Sequence, residues 1–152
     1  MPALIFPYQA PDENEPAFYR AKPAAPIPSK RTDGTTEIAK YLSPSKYLSG
    51  ETEQRVYFPP GMRTNERRRK DVTLALIVTE GEKKTLAAES FGFICVGLSG
   101  TSCWSRRSGK RRVLLRDFKH LVIKGRKIFI VFDSDATINL RGQLPAQVHR
   151  VL

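Results

Sequence analysis

A chain of 152 residues with 40% apolar content has room for one ordinary domain with a real core. Its net charge of +11 attracts polyanions, of which nucleic acid is the commonest inside cells. No apolar run approaches the ~20 residues of a membrane-spanning helix. Met1-Pro-Ala-Leu-Ile-Phe-Pro7 lacks the basic start and long apolar stretch of a signal peptide, so a cytoplasmic protein with no membrane partner is expected. The two cysteines, Cys95 and Cys103, are too few and too widely spaced for a zinc knuckle. Cys95 reads as a small core residue of an apolar strand.

Most of the 11 prolines precede residue 62, while the apolar content gathers after residue 72. Residues 1–70 are therefore expected to form an irregular N-terminal extension with short strands. Ala17-Phe-Tyr-Arg-Ala21 is one candidate strand, and Arg55-Val-Tyr-Phe58, stopped by Pro59-Pro60-Gly61, is another. Arg63-Thr-Asn-Glu-Arg-Arg-Arg-Lys70 reads as a solvated basic loop. From there the rhythm is that of an α/β domain over residues 71–152. Strands are expected at 74–79, 93–97 and 127–132, and a helix at 82–91. A Gly/Ser-rich basic loop is expected from Leu98 to Lys110. Leu114, Leu115, Phe118 and Leu121 have helical spacing, and 143–152 resembles the start of an amphipathic helix. Apolar strands separated by helices imply a parallel sheet flanked by helices. A further strand is expected beyond Leu152.

Two of these strands end in carboxylates. Leu74-Ala-Leu-Ile-Val-Thr-Glu80-Gly81-Glu82 and Lys127-Ile-Phe-Ile-Val-Phe-Asp133-Ser-Asp135 each pass from an apolar run into acid. Functional groups collect at the carboxyl edge of an open parallel sheet. Asp133 and Asp135 share one side of an extended chain, and like charges that close call for a cation or a proton. With Glu80 from a neighbouring strand they would suit Mg²⁺ (or Mn²⁺), which takes carboxylates and water. Glu82 also fits a capping box with Thr79, a structural role that competes with any functional one. Gly81 would permit the strand-to-helix turn. Lys83 and Lys84 fall in the helix's first turn, against the macrodipole, which points to a nearby anion.

Three alternatives fail on the residues. Gly81-Glu-Lys-Lys-Thr85 has Leu76 where a phosphate loop needs its first glycine, and Ser108-Gly109-Lys110 is followed by Arg111 instead of Ser or Thr. Ile130-Val-Phe-Asp133-Ser-Asp135-Ala-Thr137 resembles the haloacid dehalogenase phosphatase motif. Only fifteen residues follow Thr137, too few for that family's later motifs.

Thr79-Glu-Gly-Glu-Lys-Lys-Thr-Leu-Ala-Ala88, then Val96-Gly-Leu-Ser-Gly100 with Trp104 behind it, then Gly125-Arg-Lys-Ile-Phe-Ile-Val-Phe-Asp-Ser-Asp-Ala136 and Asn139 together resemble a Toprim domain. This is the metal-binding module of bacterial-type primases, topoisomerases and several nucleases. The closer resemblance is to a Toprim-like domain of unknown function in plasmid and phage replication proteins. Tyr41 to Gly61 resembles that family's N-terminal extension. The resemblance implies a Toprim-like (Rossmann-like) α/β fold and Mg²⁺-dependent phosphodiester chemistry of primase type on DNA in preference to RNA, beside a helicase or primase module. It makes Glu80 the general acid/base or a metal ligand, and Asp133 and Asp135 metal ligands. Primase Toprim domains carry an acid where this chain has Lys84, and the family's last strand would follow residue 152.

From Arg106 to Lys127 there are ten Lys/Arg and one acid, Asp117. Arg106, Arg107, Lys110, Arg111 and Arg112 are the candidates for phosphate contact, and Trp104 could stack on an unpaired base or pack beneath the loop. The competing expectations are a Toprim nuclease and a non-catalytic basic nucleic-acid-binding or docking module on the same scaffold. His120 and His149 are isolated and receive no role.

Overall fold

The computed structural model describes residues 2–30, 34–44 and 54–133. Asp135 and the helical expectation at 143–152 lie outside the described residues, as do Tyr47, Asn139 and His149. The chain divides into two compact units, Met1–Gln9 with Glu13–Thr52 and Ala10–Asp12 with Glu53–Leu152.

The first unit is built from antiparallel pairs. β1 (Ala3–Tyr8) pairs with β2 (Phe18–Pro23), Ala3 opposite Pro23 and Tyr8 opposite Phe18. β3 (Ile27–Lys30) pairs with β4 (Thr36–Ala39). Each sheet has only two strands, so every strand is an edge. That is why Pro7, Pro23 and Pro28 are tolerated within strands. Tyr8 stacks on Phe18 with ring centroids 4.6 Å apart, and the Arg20 guanidinium lies over the Tyr41 ring at 4.9 Å. The strand expected at 17–21 is thus observed as β2. Its partner β1 lies outside the strands that the sequence pattern marks.

The second unit is mixed α/β. It begins with two short helices, α1 (Pro60–Thr64) and α2 (Glu66–Lys70), where a solvated loop is the natural sequence expectation. Pro60 sits at the start of α1, where a missing N–H costs nothing. Asn65 caps α2 by accepting from Arg68 N at 3.3 Å. Arg69 folds inward and donates to the carbonyls of Met62 and Arg63, both at 2.7 Å. Arg55–Phe58 forms no strand. Tyr57 makes one antiparallel bridge to Gly97, and the neighbouring Arg55 and Val56 are committed to Asp117 instead.

The sheet comprises β5 (Leu76–Glu80), β6 (Cys95–Leu98) and β9 (Ile128–Val131) in the order β6-β5-β9, all parallel. The helix α3 (Glu82–Ser90) connects β5 to β6. β7 (Ser105–Ser108), β8 (Arg111–Leu114) and a 3₁₀ turn (Arg116–His120) connect β6 to β9. The two connections lie on opposite faces. α3 packs against the face of Cys95 and Gly97, where a Cβ on Gly97 would collide with Thr85 Oγ1. Val78, Val96 and Leu98 point the other way into the core with Leu115, Phe118, Leu121, Val56, Phe58 and Met62.

Two expectations are corrected here. The loop to Lys110 contains β7, paired antiparallel with β8 from Ser105↔Leu114 to Ser108↔Arg111. The helix read around Leu114–Leu121 is a strand end followed by a 3₁₀ turn. Leu115, Phe118 and Leu121, the buried apolar residues of that stretch, recur every third position, which is the 3₁₀ period.

One buried ion pair anchors the entry to this unit. Asp117 Oδ2 accepts from Arg55 Nε at 2.8 Å and from Val56 N at 2.9 Å, with both side chains 2% exposed. Breaking such a pair from one side costs far more than the pair contributes net. Asp117→Ala is expected to lower unfolding free energy by about 3–5 kcal/mol, read from the midpoint of chemical denaturation. A loss below about 1 kcal/mol, the worth of an exposed pair, would contradict the burial.

Candidate metal and nucleic-acid site

A strand order of 2-1-3 makes a crevice at the carboxyl ends of strands 1 and 3, because the connections leave in opposite directions there. In this sheet those strands are β5 and β9. Glu80 is the last residue of β5, and Asp133 follows the end of β9 by two residues. The register sets Thr79 beside Val131, and the Thr79 hydroxyl donates to the Val131 carbonyl at 2.7 Å. The ends of β5 and β9, which carry Glu80 and lead into Asp133, therefore lie next to each other at the carboxyl edge of the sheet. Glu80 is half-buried and Asp133 exposed.

The turn after Glu80 is set by Gly81, whose φ of 88° suits glycine and which caps α3. Its carbonyl accepts from Thr85 Oγ1 at 2.9 Å. The capping box read between Thr79 and Glu82 does not form, because Gly81 is the capping residue and the Thr79 hydroxyl is committed to Val131. Glu82 is 1% exposed, and its carboxylate is a near neighbour of the buried Tyr57 phenol. Burial first, then that carboxylate, pushes Tyr57 up to about 12. Burial likewise pushes the Cys95 thiol up to about 12, reinforced by Glu89. Cys95 and Tyr57 thus both hold their protons more tightly than usual.

The anion that Lys83 and Lys84 pointed to is a carboxylate of this chain: Lys84 Nζ lies 2.5 Å from Asp133 Oδ2. Both side chains keep about half their surface exposed, 45% and 58%. Lys83 is exposed one position earlier. Glu80 and Asp133 bring the hard oxygen donors that Mg²⁺ takes, at adjacent strand ends. Lys84 already neutralises one of them. Among the described residues no group of three His, Cys, Asp or Glu side chains is placed to hold a metal ion, and Asp135 lies outside them.

The cationic candidates share one β-ribbon. Arg106, Arg107, Lys110, Arg111 and Arg112 are all exposed on β7, its turn and β8, and Arg107 stands directly opposite Arg112. The Arg112 guanidinium lies 5.8 Å from the centroid of the Trp104 ring. Beneath the ribbon is a cavity of about 460 Å³, walled by Val78, Leu98, Ile128 and Ile130 of the sheet and by Trp104, Phe118 and Phe132, with Arg112 and Leu114 from β8. The sequence offered no signal for this chamber, since the ribbon's strands lack apolar alternation. The Lys84–Asp133 pair had one, the unfavourable charge in the first turn of α3.

The fold and the site together define a mixed α/β domain with a three-stranded parallel sheet and acidic groups at the reversal of its strand order. The family model described as Domain of unknown function (DUF3854) matches residues 67–151, more than half the chain, and the chain belongs to that family. The match opens within α2 and takes in every element from β5 to β9. No curated protein and no solved structure matches the chain.

The raised Cys95 and Tyr57 groups set an alkaline limit. Folded, both hold their protons to about 12, whereas the ordinary values are 9.0 and 10.0. Their contribution to stability is therefore full below about pH 9 and falls as pH rises toward 12. Unfolding midpoints measured across that window are expected to decline. In native protein at pH 8, mass spectrometry after alkylation is expected to find label on half-buried Cys103 and none on buried Cys95.

Proposed function

We propose that this is a Toprim-like nucleic-acid-processing domain of a mobile-element DNA replication protein, with Mg²⁺- or Mn²⁺-dependent phosphodiester chemistry of primase type. The observation that carries the reading is that Glu80 and Asp133 lie at the ends of neighbouring parallel strands, at the point where the strand order reverses. Glu80, Asp133 and Asp135 would hold the ion. Bound there, it would supply charge neutralisation for phosphate oxygens and activation of the attacking oxygen.

The chain's own groups have distinct tasks in this reading. Glu80, half-buried and fixed by the Gly81 turn, is the carboxylate suited to accept or return a proton. Lys84, half-exposed, can leave Asp133 for a phosphate oxygen when an ion or substrate arrives. The ribbon cations hold the DNA backbone through contacts that weaken as salt rises.

A second reading rests on the Lys84–Asp133 pair itself. A lysine that satisfies Asp133 removes the need for a cation, as expected of a non-catalytic nucleic-acid-binding module on the same scaffold.

Calorimetric titration with Mn²⁺ separates the two. The catalytic reading expects binding that Asp133→Asn weakens at least about tenfold, the scale of losing a charged ligand. It also expects Lys84→Met to tighten binding by up to about fivefold, the ~1 kcal/mol worth of an exposed ion pair. No Mn²⁺ binding by either the native chain or Lys84→Met, with DNA binding intact, would leave the non-catalytic module.

A further inference from the structure

We propose that the cavity beneath the β7–β8 ribbon is a nucleobase pocket, so that the strand this protein engages is single-stranded with one base drawn into the protein. The inference rests on the nucleic-acid reading above and deepens it. At about 460 Å³ the cavity is of ligand-binding size and has room for a base with part of its sugar. Its walls are aromatic and branched aliphatic, from Trp104, Phe118, Phe132 and Ile130, the surroundings in which a base face stacks or packs well.

An alkyl occupant would fit those walls equally well, but the charge at the mouth argues against it. The rim is cationic. Arg112 lies beside the Trp104 ring, and Arg107 stands across from Arg112 on the adjacent strand. Like charges in such a cross-strand pair repel unless an anion lies between or over them. An apolar, aromatic chamber with a cationic rim matches a nucleotide's base and phosphate together.

The chamber also adjoins the acidic edge along the chain, since Phe132 lines it and Asp133 follows. A base in a duplex would first have to leave its stack at a cost of a few kcal/mol, whereas an unpaired base is free to enter. Single strands are therefore favoured over duplex.

Trp104 is the only tryptophan in the chain, so the pocket contains its own reporter. The test is a titration of the native chain in EDTA with an oligothymidylate, and in parallel with an abasic sugar-phosphate strand of equal length. Anisotropy of a labelled strand reports binding, and Trp104 fluorescence reports pocket occupancy. EDTA keeps the result independent of the metal site. The expected result is that both strands bind and only the base-bearing one quenches Trp104 saturably. Trp104→Leu is expected to weaken the thymidylate strand by about 5- to 150-fold, the range of one lost stacking contact, and to leave the abasic strand unchanged.

Equal fluorescence responses to both strands would overturn the pocket while leaving backbone contact intact. So would thymidylate binding that leaves Trp104 silent, the outcome if the chain's own residues fill the chamber. Binding by neither strand would overturn the nucleic-acid reading as well.

Discussion

The acidic edge depends on β9 lying in register beside β5, and a strand of four residues has few ladder bonds with which to hold that register. Arg126 supplies the missing constraint. Its guanidinium, 7% exposed, donates to the carbonyls of Leu74 at 2.7 Å, Arg69 at 2.9 Å and Arg68 at 2.6 Å. Burial works against the charge, and three aligned acceptors offset it at the exposed end of α2 and the approach to β5. The next residue, Lys127, passes its carbonyl to Leu76 N at 2.9 Å, which starts the β5–β9 ladder. Thr79 closes the same ladder at its far end by its bond to Val131. Between these two fastenings the register is held, and it brings the end of β9, with Asp133 just beyond it, next to the end of β5 at Glu80.

The same logic joins the helix to the edge. Gly81 turns the chain sharply enough for α3 to begin two residues after Glu80, and Gly97 lets the helix approach β6 closely. Lys84 then reaches the Asp133 carboxylate from the first turn. Two electrostatic debits, a cation near a helix N-terminus and a carboxylate exposed at a strand end, are thereby relieved by one contact. The arrangement is also reversible, because both partners keep half their surface in water. An exposed pair of this kind contributes little to stability, at most about 1 kcal/mol, so it can be exchanged for a stronger partner without loss of the fold.

Much of this was legible in the sequence, for identifiable reasons. The apolar runs ending in Glu80 and Asp133 mark the parallel strands and their acidic ends, a continuous apolar signal that β5 owes to its burial and that β9 keeps although Phe129 and Val131 are exposed. Gly81 announced its turn. The basic stretches misled. Arg63–Lys70 reads as solvated loop from charge alone, yet Arg69 is drawn in by two carbonyls, and Arg126 by three. Composition does not reveal which arginine will cap a helix. The ribbon was hidden for the opposite reason: its exposed strands, Ser-Arg-Arg-Ser and Arg-Arg-Val-Leu, have no alternation to read. The 3₁₀ turn was mistaken for an α-helix because spacings of three and of three-and-a-half look alike over two turns. Thr79 fitted a capping box only until its hydroxyl found the carbonyl of a strand fifty residues away, a tertiary choice no local pattern carries.

The central claim is that the ends of β5 and β9 form one cation site. Its most direct test is paramagnetic broadening of backbone amide signals by substoichiometric Mn²⁺ in the native chain. The expected result is selective loss of signals from residues 79–82 and 131–133 before any others, reversed by EDTA. Broadening centred elsewhere, or uniform across the chain, would contradict it.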